Sequence, residues 1–364
     1  MESYQFTDLK KETINIVPKY FGGFKMEQNN ILEETKKKKW QFILYLKALA
    51  CILITNSHCR NIYPLFFLAV GGAHGNSIFF VLSGFCLATI NTPFIVWMKR
   101  RVRRIIPPLI SAIIMSLFII RIEQINITGL CKYFIWVVNQ YWFVFAILIF
   151  YPFYYVVFKK FSLKKMMYVY GGILIIYMYA YCFVLDTKQF VIEREGFSPI
   201  KVFFYFSIFL TGGVIQKRLC LVKKIRNPIR TRNILFMIII VSGIIWASVY
   251  GLITIFNIGL NLQFLIHVSI FIFSVCILEF AIIEESIIGF RTSLSRKLKT
   301  IVSIIADSTL EIYLVQVTFG KIIEKINFPF SLLIFLVVAF AGGIFLNRTI
   351  KKIENIIFIQ KERK

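Results

Sequence analysis

The sequence has few of the residues that stabilise a small secreted domain or hold a metal. It contains only three histidines and seven cysteines in 364 residues. The cysteines (51, 59, 86, 131, 182, 220 and 276) are odd in number, lie mostly within apolar runs and show no CxxC or Cys/His ligand spacing. Neither a disulfide framework nor a metal centre is expected. Residues 1–39 have no apolar core long enough for a signal peptide, and they end in Lys36 to Lys39 directly before the first apolar run. The N-terminus is therefore expected to stay in the cytoplasm. There is no internal repeat, no low-complexity tract and no outward loop long enough to fold as a soluble domain.

What is present is apolar. Hydrophobic residues make up 58% of the chain, and the mean hydropathy is +0.74, beyond what a water-exposed surface tolerates. Lipid must act as solvent for most of the molecule. Apolar stretches long enough to span, or nearly so, lie at about 41–58, 76–90, 105–121, 140–158, 166–185, 201–216, 234–256, 262–283, 304–320 and 328–346. They predict an all-α polytopic transmembrane bundle of about ten helices with both termini cytoplasmic.

The net charge of +25 would suit nucleic acid if the cations shared one folded surface. They lie between the apolar runs instead. Ten crossings put 34 of the 43 basic residues on the inward side and eight outward, with Lys47 alone inside a span. That asymmetry follows the positive-inside rule, and it points to anionic lipid and away from nucleic acid. The chain thus divides into a basic cytoplasmic tail (1–40), a ten-helix membrane domain (41–348) and a second basic cytoplasmic tail (349–364). Two spans are weaker than the rest. The second follows GGAHGNS at 71–77, read as non-helical backbone beside an internal cavity. The ninth carries Asp307, Ser308, Glu311 and Gln316, costly groups in hydrocarbon.

Chemistry is sought among such buried polar groups. Lys47 and His58 are eleven residues apart on the first helix. That spacing leaves them within roughly 20° of one face and about 16 Å apart along the axis. Cys51 and Thr55 fall on or near the same stripe, so a partly polar seam is expected between them. After the second span comes WMKRRVRRIIPP at 97–108, whose arginines suit phosphate through bidentate hydrogen bonds. This cluster could hold the phosphates of a cytoplasmic donor whose arm reaches along the seam to His58, where a neutral imidazole would act as general base. His74 reads as a solvated loop histidine, and His267 has no motif around it. Cys59 beside His58 invites a Cys/His nucleophile, but neighbouring residues on a helix point about 100° apart. Glu311 could serve a substrate or pair with the basic cluster.

These residues resemble the acyltransferase 3 family of membrane-bound, acyl-CoA-dependent transferases that decorate bacterial surface polysaccharides. The resemblance rests on YLKALACILITNSH at 45–58, GGAHGNSIFFVLSGF at 71–85 and the RRVRRIIPP run, in family order and spacing. It is supported by YWFVFAILIFYPF at 141–153 and STLEIYLVQ at 308–316. By position it implies His58 as catalytic base, with Lys47 standing where the family usually has Arg. It implies acyl-CoA contacts at Arg101 and Arg104, with Arg100 and Arg103 as the alternative register. Ser83, Asn76, Trp142, Glu311, Tyr313 and Gln316 would line the substrate site, Gln316 standing where many relatives have His. Gly84 would allow close helix contact.

The resemblance implies an O-acyltransferase of the bacterial cell membrane, the inner membrane in a Gram-negative cell. Acyl-CoA, acetyl-CoA by expectation, would be co-substrate, with no permanently bound cofactor. The acceptor would be a hydroxyl of a capsular, O-antigen or exopolysaccharide glycan or of its lipid-linked precursor. Buried polar residues also mark transporters and exporters, and a non-catalytic part of a glycan-export assembly would keep the same helices.

Overall fold

A run of apolar residues in lipid can satisfy its backbone only by forming a helix or a closed barrel, and this sequence lacks the period-two alternation of a barrel. A computed structural model describes residues 40–119, 127–193, 196–219, 227–287 and 295–362, and among these every regular element is helical. The elements are α1 (Phe42–Ser57), α2 (Gly72–Leu87), α3 (Phe94–Ile119), α4 (Ile127–Gln140), α5 (Trp142–Lys160), α6 (Leu163–Tyr179), α7 (Pro199–Leu219), α8 (Pro228–Phe256), α9 (Phe264–Ile287), α10 (Arg296–Asp307), α11 (Thr309–Ile323), α12 (Phe330–Val337) and α13 (Gly343–Glu362). A π-helical turn, Ala180–Val184, extends α6, and another, Val338–Gly342, joins α12 to α13. The N-terminal tail 1–39 with its eight cations, Cys220, and the basic residues at 121, 194, 223–226, 291 and 363–364 lie outside the described residues.

Eight helical stretches among the described residues are long and apolar enough to cross a membrane. The pair α10–α11, bent by 66°, makes up to nine, and α1 is a shorter apolar helix of 16 residues. Each of the ten apolar segments read from the sequence contains one of these. The extra helix is α4, an amphipathic segment between the third and fourth apolar runs. Helix α13 runs on from the last apolar run through the basic segment from 349 as far as Glu362. Many outward faces are apolar. Only 6% of the spanning window in Leu163–Val184 is buried, and Tyr168, Ile175 and Phe183 are largely exposed. A surface of that kind needs lipid.

Residues 72–77 are helical, which corrects the non-helical reading. Glycine serves packing there, because α2 must approach α1 closely. A Cβ on Gly72 would lie 2.5 Å from Ser57 Oγ, and one on Gly75 would lie 2.7 Å from Ile54 Cγ1 and 2.8 Å from the Ala50 carbonyl. Gly71, just before the helix, has left-handed backbone, φ +104°, and caps its start. Further along α2, a Cβ on Gly84 would overlap the Phe209 carbonyl, and one on Gly212 of α7 would overlap that of Val81. Helix α2 is therefore clamped between α1 and α7.

The start of α1 is fixed by charge. The buried Glu285 of α9 accepts hydrogen bonds from the amides of Gln41 (3.2 Å) and Phe42 (2.8 Å). A carboxylate at a helix N-terminus satisfies orphan donors and opposes the positive end of the dipole.

Candidate active site

Two cavities meet inside this bundle. The first, about 180 Å³, is basic, and its walls include Lys47 from α1, Ser83 and Cys86 from α2, Arg101 and Arg104 from α3, Tyr151 from α5 and Thr309 from α11. The cations share a wall because they occupy the first turns of α3, ahead of the Pro107–Pro108 pair, where 97, 101 and 104 fall on one face. Arg101 lies 5.6 Å from the Trp97 ring, and its Nε is buried with no hydrogen-bond partner, as is Trp97 Nε1. Unpartnered buried donors are costly, and a phosphate would supply their acceptor. Lys47 also lies within electrostatic reach of Arg104 and Asp307.

The alternative register of the arginines points elsewhere. Arg103 approaches Glu354 of α13 at 3.9 Å across an exposed surface, Arg100 is exposed, and neither lines either of these two cavities. Glu311 is buried but lines neither cavity, lying instead within electrostatic reach of Arg104 and Lys351.

The second cavity, about 370 Å³, holds His58. His58 caps the C-terminal end of α1, so its ring leaves the helix where the backbone turns away. The residue is exposed and lies 6.2 Å from the Tyr313 ring centroid, and its imidazole makes no hydrogen bond among the described residues. Both ring nitrogens are therefore available to a ligand. Asn76, Trp142, Tyr313 and Gln316 line the same cavity, together with Glu193, Lys201, Trp246 and Tyr250.

Ile54 and Tyr313 belong to the walls of both cavities. Tyr313 is fixed by its hydroxyl, which donates to the Gln140 carbonyl at 3.1 Å. The stripe on α1 that faces the cavities is thus Lys47, Ile54 and His58, and its centre is apolar. Cys51 and Thr55 turn aside, which corrects the polar seam. Cys51 packs against Ile312 and Ala339, and the Thr55 hydroxyl donates to Gln316 Oε1 at 2.8 Å. They lie about 40° and 80° round the helix from Lys47 at 100° per residue, far enough to face α11 instead. Cys59 is buried with Ile62, Ile323 and Phe335, away from His58.

His74 is buried too, between the rings of Trp246 (4.7 Å) and Phe273 (4.6 Å), which overturns the solvated-loop reading. A further concavity, about 690 Å³ along residues 227–238, is an open groove on the outside of α8 and holds none of the candidate residues.

Sequence reasoning missed one buried network. Glu193, between α6 and α7, accepts at Oε1 from the Tyr205 hydroxyl (3.0 Å), and His267 Nε2 lies 3.2 Å from the same oxygen. His267 Nδ1 is 2.9 Å from the Tyr177 hydroxyl, and its ring stacks on Phe204 at 3.8 Å. Lys201, also buried, places Nζ 4.0 Å from the Trp142 ring centroid. The available signal was cost, since a histidine in an otherwise apolar span needs a partner. Its partner, 74 residues away, gave no sign in the sequence.

A family model described as an acyltransferase domain, that of the acyltransferase 3 family, matches residues 40–347. Among curated proteins and among solved structures, nothing matches the chain.

Proposed function

Because the chain belongs to the acyltransferase 3 family, which implies a membrane acyltransferase, we propose that it moves an acetyl group from acetyl-CoA to a glycan hydroxyl with His58 as general base. One observation carries the reading: a basic cavity and a histidine-bearing cavity share Ile54 and Tyr313 as common wall. A carrier anchored by phosphate on Arg101, Arg104 and Lys47 would send its arm towards that wall. The acceptor would approach from the other side.

In the reaction, the His58 imidazole removes the proton of the acceptor hydroxyl as its oxygen attacks the thioester carbonyl carbon. The tetrahedral intermediate collapses by breaking the carbon–sulfur bond. The proton held on the imidazolium passes to the departing thiolate, which leaves the base neutral for the next cycle. General base catalysis of this kind contributes about 10²–10⁴-fold. Direct attack is favoured over an acyl-cysteine because the Cys59 thiol faces the Thr55 carbonyl at 3.5 Å, within an apolar cluster. Lysine at 47 attracts phosphate as a point charge without the bidentate fork of arginine.

Charge asymmetry supports a basic cavity open to the cytoplasm and a histidine cavity open to the outer face of a bacterial cell membrane. A capsular, O-antigen or exopolysaccharide glycan, or its lipid-linked precursor, is the corresponding acceptor. Mass spectrometry of surface glycans from cells with and without this chain tests the assignment. Loss of an acetyl-sized mass increment in the deletion is expected, and identical glycans in the two strains would overturn it.

A further inference from the structure

Glu193 has no part in the chemistry above, yet it is a carboxylate held at the wall of the His58 cavity by buried donors. A carboxylate drawn largely out of water is costly unless it is hydrogen-bonded. The network also has a direction. Glu193 can only accept when ionised, so Tyr205 donates to Oε1 and His267 donates through Nε2. Nδ1 of His267 is then the acceptor, and the Tyr177 hydroxyl donates to it.

Two donor paths therefore end on one oxygen of one carboxylate. An oxygen held in this way is a fixed hydrogen-bond acceptor. Among the described residues, no donor is seen on Oε2. Around Glu193 the cavity wall carries Trp142, Trp246 and Tyr250, the last two stacked at 4.9 Å, and the buried indole N–H of Trp246 has no partner. Flat aromatic surface beside one fixed acceptor suits a polyhydroxylated ring, whose faces are apolar and whose edges carry hydroxyls.

Resting on the acetyl-transfer reading, we propose that Glu193 binds a hydroxyl of the glycan acceptor, and that Tyr205 and the His267–Tyr177 pair are positioning residues that hold its carboxylate for that contact. His58 takes the reacting proton. Glu193 sets which hydroxyl reaches it.

The test uses the purified full-length protein in detergent, acetyl-CoA, and surface polysaccharide from the source cells stripped of acyl groups by mild alkali. Glu193→Gln keeps the shape and weakens the acceptor, so its KM for the polysaccharide should rise about tenfold or more, as loss of a hydrogen bond to a charged group implies. Its KM for acetyl-CoA and its unfolding midpoint should stay at the wild-type values. Glu193→Asp should recover part of the loss. Tyr177→Phe, which does not line the cavity, should raise the same KM by a smaller factor. An unchanged KM for the polysaccharide in Glu193→Gln, or parallel rises in both KM values, would overturn the assignment and leave the acetyl-transfer reading intact. A wild-type protein that transfers nothing to the polysaccharide would overturn both.

Discussion

Ile54 of α1 and Tyr313 of α11 each form part of the wall of the cavity that holds Lys47 and of the one that holds His58. On the proposed reading, donor and acceptor would occupy separate compartments that touch at this wall. Ile54→Phe should fill this junction and cut acetyl transfer by about tenfold or more, since misplacing reacting groups by an ångström can cost 10²-fold. The KM for acetyl-CoA should change little. Steady-state kinetics on the purified protein make the check, and unchanged turnover would mean that the arm takes another route.

The arginine cluster divides into two structural halves. Arg101 and Arg104 line the basic cavity, whereas Arg103 turns towards Glu354 and Arg100 is exposed. Arg101→Ala or Arg104→Ala should raise the KM for acetyl-CoA about tenfold or more, because charge-assisted hydrogen bonds to phosphate are the strong ones. Arg103→Ala should have little effect, since exposed ion pairs contribute about 0–1 kcal/mol. Added salt should raise the wild-type KM. Equal losses in all three variants would contradict the division.

Packing of α2 on α7 leaves no room for a methyl group. Gly84→Ala and Gly212→Ala would each drive a Cβ into a backbone carbonyl of the other helix, while Gly171 and Gly172 have nothing within 4 Å of the corresponding position. Overpacking costs about 1–3 kcal/mol and occasionally more. Thermal unfolding in detergent should show a lower midpoint for the first pair and no loss for alanine at 171 or 172.

Thr55 and Gln316 tie α1 to α11 through one buried hydrogen bond of 2.8 Å. A double-mutant cycle with Thr55→Val and Gln316→Leu should return a coupling of about 0.6 kcal/mol and below about 1.7, the range seen for such bonds within membranes. The pair accounts for the glutamine at 316 as a helix tie. Substitution there should lower stability before it lowers turnover.

Much of this molecule was legible because lipid leaves the backbone little choice. All ten apolar runs contain helices, and Lys47, Arg101, Arg104 and Ser83 share a cavity because helical periods of three and four put them on facing stripes. The failures have physical causes as well. Periodicity could not tell that Gly72 and Gly75 serve close packing, since the same glycines suit a loop, so His74 was put in solvent. The seam through Cys51 and Thr55 failed because a stripe 80° wide can face two neighbours. Helix α4 is short and amphipathic, below the length that hydropathy detects. Glu193 and His267 meet only through tertiary packing between segments 74 residues apart.

The central claim is that His58 takes the acceptor's proton while the basic cavity holds the donor. The direct measurement is acetyl transfer by His58→Ala alongside its affinity for acetyl-CoA, both on the full-length protein in detergent. Transfer should fall about 10²-fold or more, as loss of a general base implies, with the affinity for acetyl-CoA unchanged. Transfer at the wild-type rate would contradict the account.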